Sequence, residues 1–143
     1  FTTGGRAWHV DGFQRGAHSP FTLLVGVCLS DTPAPDMGNF AVHPGAHWTL
    51  QDAVRTAVRT PQSSSDDAGG AVFSDHAMRE AKPDLGAPTP LCMRRGDVVL
   101  AHQKLPHLGL PNFSSTIRYQ VYFRISHRDI DAHRARWLDD LLL

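Results

Sequence analysis

His9-Val10-Asp11 sets an imidazole and a carboxylate two residues apart near the start of the chain. On an extended strand, residues i and i+2 face the same side, so these two side chains converge without any special backbone. A second group of chemically capable residues follows downstream. Gly96-Asp97-Val98-Val99 leads to His102 and His107, then to Pro111-Asn112, and then to Arg118. One imidazole from this segment, added to His9 and Asp11, makes a set of two histidines and one carboxylate. On iron(II) such a set takes one face of the octahedron and leaves the remaining positions open, which is what an oxygenase needs. Residue type alone leaves both His102 and His107 eligible as the third ligand. Arg118, beyond them, can hold a carboxylate through two parallel charge-assisted hydrogen bonds.

Three blocks occur in order along the chain: Trp8-His9-Val10-Asp11-Gly12, then Gly38-Asn39-Phe40-Ala41-Val42-His43-Pro44-Gly45-Ala46-His47, then Gly96-Asp97-Val98-Val99 through Arg118. Together they resemble the phytanoyl-CoA dioxygenase family of iron(II)/2-oxoglutarate oxygenases, over roughly residues 6 to 126. The resemblance implies a mainly β fold with a few helices, a double-stranded β-helix of the jelly-roll or cupin-like kind. Only eight residues precede His9, where the family carries helices and early strands, so the barrel is expected to be incomplete at its N-terminus. Residues 1–143 are then one oxygenase-like domain, the C-terminal part of the barrel, with a variable insert at 49–90.

The same resemblance implies Fe(II) as the metal and 2-oxoglutarate as cosubstrate. His9, Asp11 and His107 become the metal ligands, and Arg118, eleven residues beyond His107, the partner of the cosubstrate's distal carboxylate. His107 is preferred to His102 because the family's ligand ends this run, just before a glycine-to-asparagine loop, here Gly109-Leu110-Pro111-Asn112. His102 is the less favoured ligand, expected at a strand end with a hydrogen-bond partner. The implied reaction hydroxylates a small organic or acyl substrate, with succinate and carbon dioxide as coproducts, and needs no catalytic residue beyond the metal ligands. Acyl-CoA, an alkaloid-like or amino-acid metabolite, and a lipid all suit that description. Two other readings use the same residues differently. A cupin-like metal protein that is not an oxygenase keeps the ligands but has no use for Arg118 as a dicarboxylate clamp. A non-catalytic binding or scaffold remnant keeps the strands and binds no iron.

Composition narrows the classes further. A chain of 143 residues is one small domain by length, and a hydrophobic share of 41% with 20% charged residues is ordinary for a globular chain with a packed core. Fourteen basic residues cancel fourteen acidic ones, so no net field draws in nucleic acid. No apolar run approaches the roughly 20 residues of a membrane-spanning helix. The expected partner is a small-molecule substrate. Nine histidines exceed what one facial set uses, and most are expected to be surface or hydrogen-bonded. Cys28 and Cys92 form neither a metal pair nor a disulfide framework, which favours a reducing, intracellular setting. No signal-peptide pattern is present, and Leu141-Leu142-Leu143 does not match a peroxisomal address.

These side chains need elements to position them. Phe21 to Leu29 is apolar at nearly every position and stops at a Pro-rich stretch, which predicts a buried strand and a turn. Asn39 to Val42 predicts a second strand, closed by a sharp turn at Pro44-Gly45. Thr49 to Arg59 predicts a helix of about three turns, with Thr49 as N-cap and Asp52 three residues on. Its tandem Ala-Val-Arg-Thr is too short to be an architectural repeat. Residues 61–70, rich in Ser, Asp and Gly, predict a mobile loop. Leu91–Met93 and Val98–Ala101 predict strands around the Arg95-Gly96-Asp97 turn.

Ile117 to Ile125 alternates most clearly, with Ile117, Tyr119, Val121, Phe123 and Ile125 on one face and Arg118, Gln120, Tyr122 and Arg124 on the other. In a solvated sheet the polar face looks outward; in a small barrel it looks into a polar pocket. Asp131 to Leu141 predicts a closing amphipathic helix.

Overall fold

A computed structural model describes residues 8–11, 13–14, 17–18, 21–59 and 83–133. The predicted mobile loop at 61–70 and the chain beyond His133 lie outside these residues. The described chain is mainly β with few helices. A short antiparallel hairpin pairs β1 (Phe13–Gln14) with β2 (Ala17–His18). The apolar run folds as β3 (Leu23–Cys28), and β4 (Phe40–Val42) follows the Pro-rich turn.

After β4 the chain turns at His43-Pro44-Gly45-Ala46, where the Ala46 N–H donates to the His43 carbonyl at 3.1 Å. Gly45 has φ +75°, the conformation a type II turn demands at its third residue, while Pro44 presets the second. The turn runs straight into α1 (Ala46–Arg59), so the helix begins three residues before the predicted cap. Thr49 therefore lies inside the first turn, and the early amides are engaged by the turn itself: the Trp48 N–H donates to the Gly45 carbonyl at 3.1 Å.

Further along, β5 (Thr89–Pro90) pairs with β4, and β6 (Val98–His102) pairs with β3. The predicted strand at Leu91–Met93 does not form as such. Leu91 donates its N–H to the Phe40 carbonyl at 2.9 Å, and Met93 forms an isolated bridge with Thr32. Two strands complete the fold, β7 (His107–Gly109) beside β4 and β8 (Gln120–Ile125) beside β3. The alternating pattern is thus a strand over its last six residues only. The closing helix α2 begins at Ile130 and is described to His133.

The strands form two three-stranded antiparallel sheets, ordered β6-β3-β8 and β5-β4-β7. Register brings Leu24 opposite both Ala101 and Arg124, and Gly26 opposite both Val99 and Tyr122. Paired residues share a face, so Leu24, Ala101, Tyr122 and Arg124 all look the same way. That face packs on the second sheet: Phe21, Leu24 and Ala101 meet Phe40 and Val42 in one buried cluster, and the Phe40 and Tyr122 rings stand 5.6 Å apart.

The alternation in β8 therefore resolves with the polar residues inward. Its apolar partners point out, where Val98, Leu100, Val121, Phe123 and Ile125 are 40–65% exposed. The β3 run, apolar on both faces, is buried only at alternate positions for the same reason: one face meets the second sheet, and the other belongs to this open surface.

Candidate metal centre

The segment that carries His9 runs beside β7. The His9 N–H donates to the His107 carbonyl at 2.9 Å, and the His107 N–H returns a bond to the His9 carbonyl at 3.0 Å. This is a hydrogen-bonded antiparallel pair, and the two imidazole centroids stand 4.5 Å apart. Asp11, two residues on, brings a carboxylate oxygen to 3.6 Å from His9 Nε2. One donor atom from each of His9, Asp11 and His107 lies within 4.8 Å of the other two. Donors sharing one face of a metal with bonds of about 2.0–2.2 Å stand about 3 Å apart, so rotation of the side chains closes the set.

The surroundings of His107 leave one ring nitrogen free to bind a metal. Its ring is buried, and Nδ1 faces the Leu105 carbonyl at 2.9 Å. A carbonyl only accepts, so Nδ1 carries the proton and Nε2 keeps its lone pair. Burial pushes the imidazolium below the ordinary 6.5, and the opposing pull of the Leu105 carbonyl does not outweigh it. The ring is therefore neutral near pH 7, the form in which histidine binds metal.

His102 stands elsewhere. It ends β6, its Nδ1 accepts from the Lys104 N–H at 3.1 Å, and its ring centroid lies 5.9 Å from that of His47. Among the described residues it is not part of the cluster, in keeping with a hydrogen-bonded strand end.

The three converging side chains stand in the wall of a cleft of about 1170 Å³ between the two sheets, which Arg118, Tyr122 and Arg124 also line. Arg118 donates from Nη1 to Gln120 Oε1 at 3.0 Å and also bonds the Tyr122 hydroxyl. Burial raises the Tyr122 phenol above its ordinary 10, although the Arg118 charge pulls the other way. Tyr122 consequently stays a neutral hydroxyl beside a guanidinium. Asn112 shapes the rim of the cleft. Its Oδ1 accepts from the Ser114 N–H at 3.0 Å and the Ser114 hydroxyl at 2.7 Å, while its Nδ2 donates to the Thr116 carbonyl at 2.8 Å.

His43, just before the Pro44-Gly45 turn, donates its N–H to the Pro106 carbonyl at 3.1 Å, which ties the β4 end to the β7 entry, and its Nδ1 faces the Leu85 carbonyl at 3.3 Å.

Sequence reasoning gave no role to Arg124 and Tyr122, which line this cleft, or to Gly26 behind Tyr122. Arg124 pairs with Asp11, Nη2 to Oδ1 at 3.3 Å and Nε to Oδ2 at 3.4 Å. Tyr122 bonds Arg118, and Gly26 leaves room for the Tyr122 ring, since a Cβ there would meet Tyr122 Cε1 at 2.9 Å and Val99 Cγ1 at 2.7 Å. The shared period-2 face was the available signal for both side chains. A lone glycine inside an apolar strand was the signal for the close approach.

The profile of the phytanoyl-CoA dioxygenase (PhyH) family matches residues 1–119. No curated protein sequence matches the chain. The crystal structure of EvdMO1 is similar, with a TM-score of 0.53 and 19% identity over 89% of this chain and 24% of that one. So is the crystal structure of SnoK, described as a non-heme alpha-ketoglutarate-dependent carbocyclase from nogalamycin biosynthesis, with a TM-score of 0.54 and 19% identity over 91% of this chain and 49% of that one. This chain thus spans about a quarter and about half of those two proteins. At such identity the likeness is one of fold, and the family profile covers most of the sequence: the chain belongs to the phytanoyl-CoA dioxygenase family.

Proposed function

We propose that this chain carries the metal and cosubstrate sites of an Fe(II)/2-oxoglutarate-dependent dioxygenase that hydroxylates a small organic or acyl substrate. Succinate and carbon dioxide are the coproducts. The observation that carries the reading is the convergence of His9, Asp11 and His107 in the wall of a cleft that Arg118 also lines. Strands leave one sheet and enter the other along the chain, which supports a double-stranded β-helix built as one domain over 1–143, with 49–90 as its variable insert.

The donor set fits iron(II). Two imidazoles, one of them with its tautomer fixed by Leu105, and one carboxylate match the facial arrangement that leaves room for a chelating cosubstrate. Iron(II) with 2-oxoglutarate supplies the activation of dioxygen that an unactivated C–H bond requires. The rest is done by the chain's own side chains. His9, Asp11 and His107 hold the metal from one side of the cleft. Arg118 receives the distal carboxylate of 2-oxoglutarate, oriented by Gln120 and flanked by the Tyr122 hydroxyl. Leu24 and Phe40 give the cleft an apolar wall against water. Ligand pockets run to about 300–1000 Å³, so a cleft of about 1170 Å³ leaves space for a substrate beside a small dicarboxylate.

Arg118 is what favours this reading over a cupin-like metal protein without oxygenase activity, which has no use for a dicarboxylate clamp. Anaerobic addition of iron(II) and then 2-oxoglutarate tests it. The expected result is the visible charge-transfer absorption of a bidentate 2-oxoacid chelate. Iron binding with no such band on saturation with 2-oxoglutarate overturns the oxygenase reading in favour of the cupin-like one, and no iron binding leaves the scaffold reading.

A further inference from the structure

Resting on the metal reading above, we propose that Arg124 is a positioning residue that sets the orientation of the Asp11 carboxylate for metal binding. Asp11 lies two residues past the His9 pairing. His9 is tied to β7 by two main-chain bonds, whereas Asp11 sits in a turn and has no main-chain bond to a strand among the described residues. A carboxylate in that position rotates about two side-chain bonds unless something holds both of its oxygens.

Arg124 does so from the opposite sheet. It stands on β8, in register with Leu24 of β3, and reaches across the cleft with the Nε and Nη2 edge of its guanidinium. Nη2 meets Oδ1 at 3.3 Å and Nε meets Oδ2 at 3.4 Å, a two-pronged grip that only a guanidinium offers. The guanidinium is itself braced: its Cζ lies 5.7 Å from the centre of the Phe21 ring, and Phe21 is buried in the core with its N–H bonded to Gln103 Oε1 at 2.9 Å. A core ring thus backs the arginine on one side, and the arginine holds the carboxylate. Asp11 can give one oxygen to a metal and keep the other on Arg124, as outer partners of ligating carboxylates do.

A cation beside a dication site also repels the metal, so two effects compete. The Arg124 side chain is 55% exposed, and solvent screens a charge in that position. Losing an outer-shell orienting partner costs about 10–100-fold in metal affinity. Orientation therefore outweighs repulsion, and removing Arg124 lowers affinity despite removing a positive charge.

The test titrates cobalt(II) into the chain and into the Arg124→Met and Arg124→Lys variants, reading the dissociation constant and the ligand-field spectrum of the bound ion. Folding of each metal-free variant is checked by circular dichroism and its urea midpoint. The expected result is affinity weakened about 10-fold or more in Arg124→Met with an altered spectrum. Arg124→Lys should fall short of the parent too, because an ammonium keeps the charge but not the fork. Unchanged or tighter binding by a folded Arg124→Met variant overturns the proposal and leaves Arg124 a mere counter-ion of the metal-free site. Full retention of affinity and spectrum in Arg124→Lys overturns the fork, charge alone then being sufficient. If Arg124→Met fails to fold, Arg124→Lys decides. A parent chain that binds no cobalt refutes the metal reading itself, and the inference falls with it.

Discussion

His9 and His107 face each other as a hydrogen-bonded pair, each donating its N–H to the other's carbonyl. The two imidazoles of the metal set are therefore placed by main chain, almost 100 residues apart in sequence but held as cross-strand neighbours. Such a placement survives loss of either side chain. His9→Ala should keep the fold and lose the metal, with an unchanged circular dichroism spectrum and no iron retained after desalting.

On the proposed function, Arg118 serves cosubstrate binding and not metal binding. Arg118→Ala should weaken 2-oxoglutarate binding by about 2–5 kcal/mol, the range for truncating one partner of a buried, hydrogen-bonded charge pair, while iron affinity stays near that of the parent. Calorimetric titration with manganese(II) present reads both. Equal 2-oxoglutarate affinity in variant and parent removes Arg118 from the site.

Gly26 should be intolerant for a local reason. A side chain there meets Val99 Cγ1 at 2.7 Å and Tyr122 Cε1 at 2.9 Å, and overpacking of this kind costs about 1–3 kcal/mol. Gly26→Val should lower the urea midpoint and, by displacing Tyr122 from Arg118, weaken 2-oxoglutarate binding as well. A loss of stability with the cosubstrate affinity intact would show that Tyr122 gives Arg118 no support.

Stability should depend on pH through His107, which is buried, and His47, which is half-buried. Burial, with Lys104 as a lesser cause, pushes the His47 imidazolium below the ordinary 6.5, and burial does the same to His107. The unfolded chain then binds more protons than the folded one between the lowered values and 6.5, so stability is full above 6.5 and is lost as pH falls through that window. The urea midpoint of the metal-free protein should drop between about pH 7.5 and about pH 5.5. His47→Gln should remove part of that drop and leave the part due to His107. A slope unaltered by the substitution contradicts the assignment.

The outward face of the β6-β3-β8 sheet exposes Leu100 at 65% and Phe123 at 50%, within a continuous apolar surface. Surfaces of that kind bind hydrophobic dyes. Anilinonaphthalene sulfonate should fluoresce with the folded chain, and a Leu100→Lys, Phe123→Lys double variant should lower the signal. Equal fluorescence from the double variant would place the dye elsewhere.

What could be read ahead of the structure divides by range. His9 and Asp11 were legible because strand periodicity is local, β3 and β6 followed from apolar runs beside turns, and the core of β8 from its alternation. His107 was separated from His102 only by the order of blocks along the chain, since residue type does not distinguish them. The start of α1 was misplaced because Thr49 looks like a cap, whereas the Pro44-Gly45 turn had already supplied the helix with its first bonds. Leu91–Met93 looked like a strand from its apolar character, yet pairing depends on a neighbour, and the sheet takes Thr89–Pro90 instead. Arg124 was beyond reach for the same reason: its partner Asp11 is 113 positions away, on the other sheet. Alternation could place Arg124 on a face but could not say what that face meets.

The central claim is that His9, Asp11 and His107, and not His102, hold the metal. Counting bound manganese(II) by electron paramagnetic resonance in the parent, His107→Ala and His102→Ala tests it most directly. The account predicts one ion bound per chain in the parent and in His102→Ala, and none in His107→Ala. An ion retained by His107→Ala and lost by His102→Ala would contradict it.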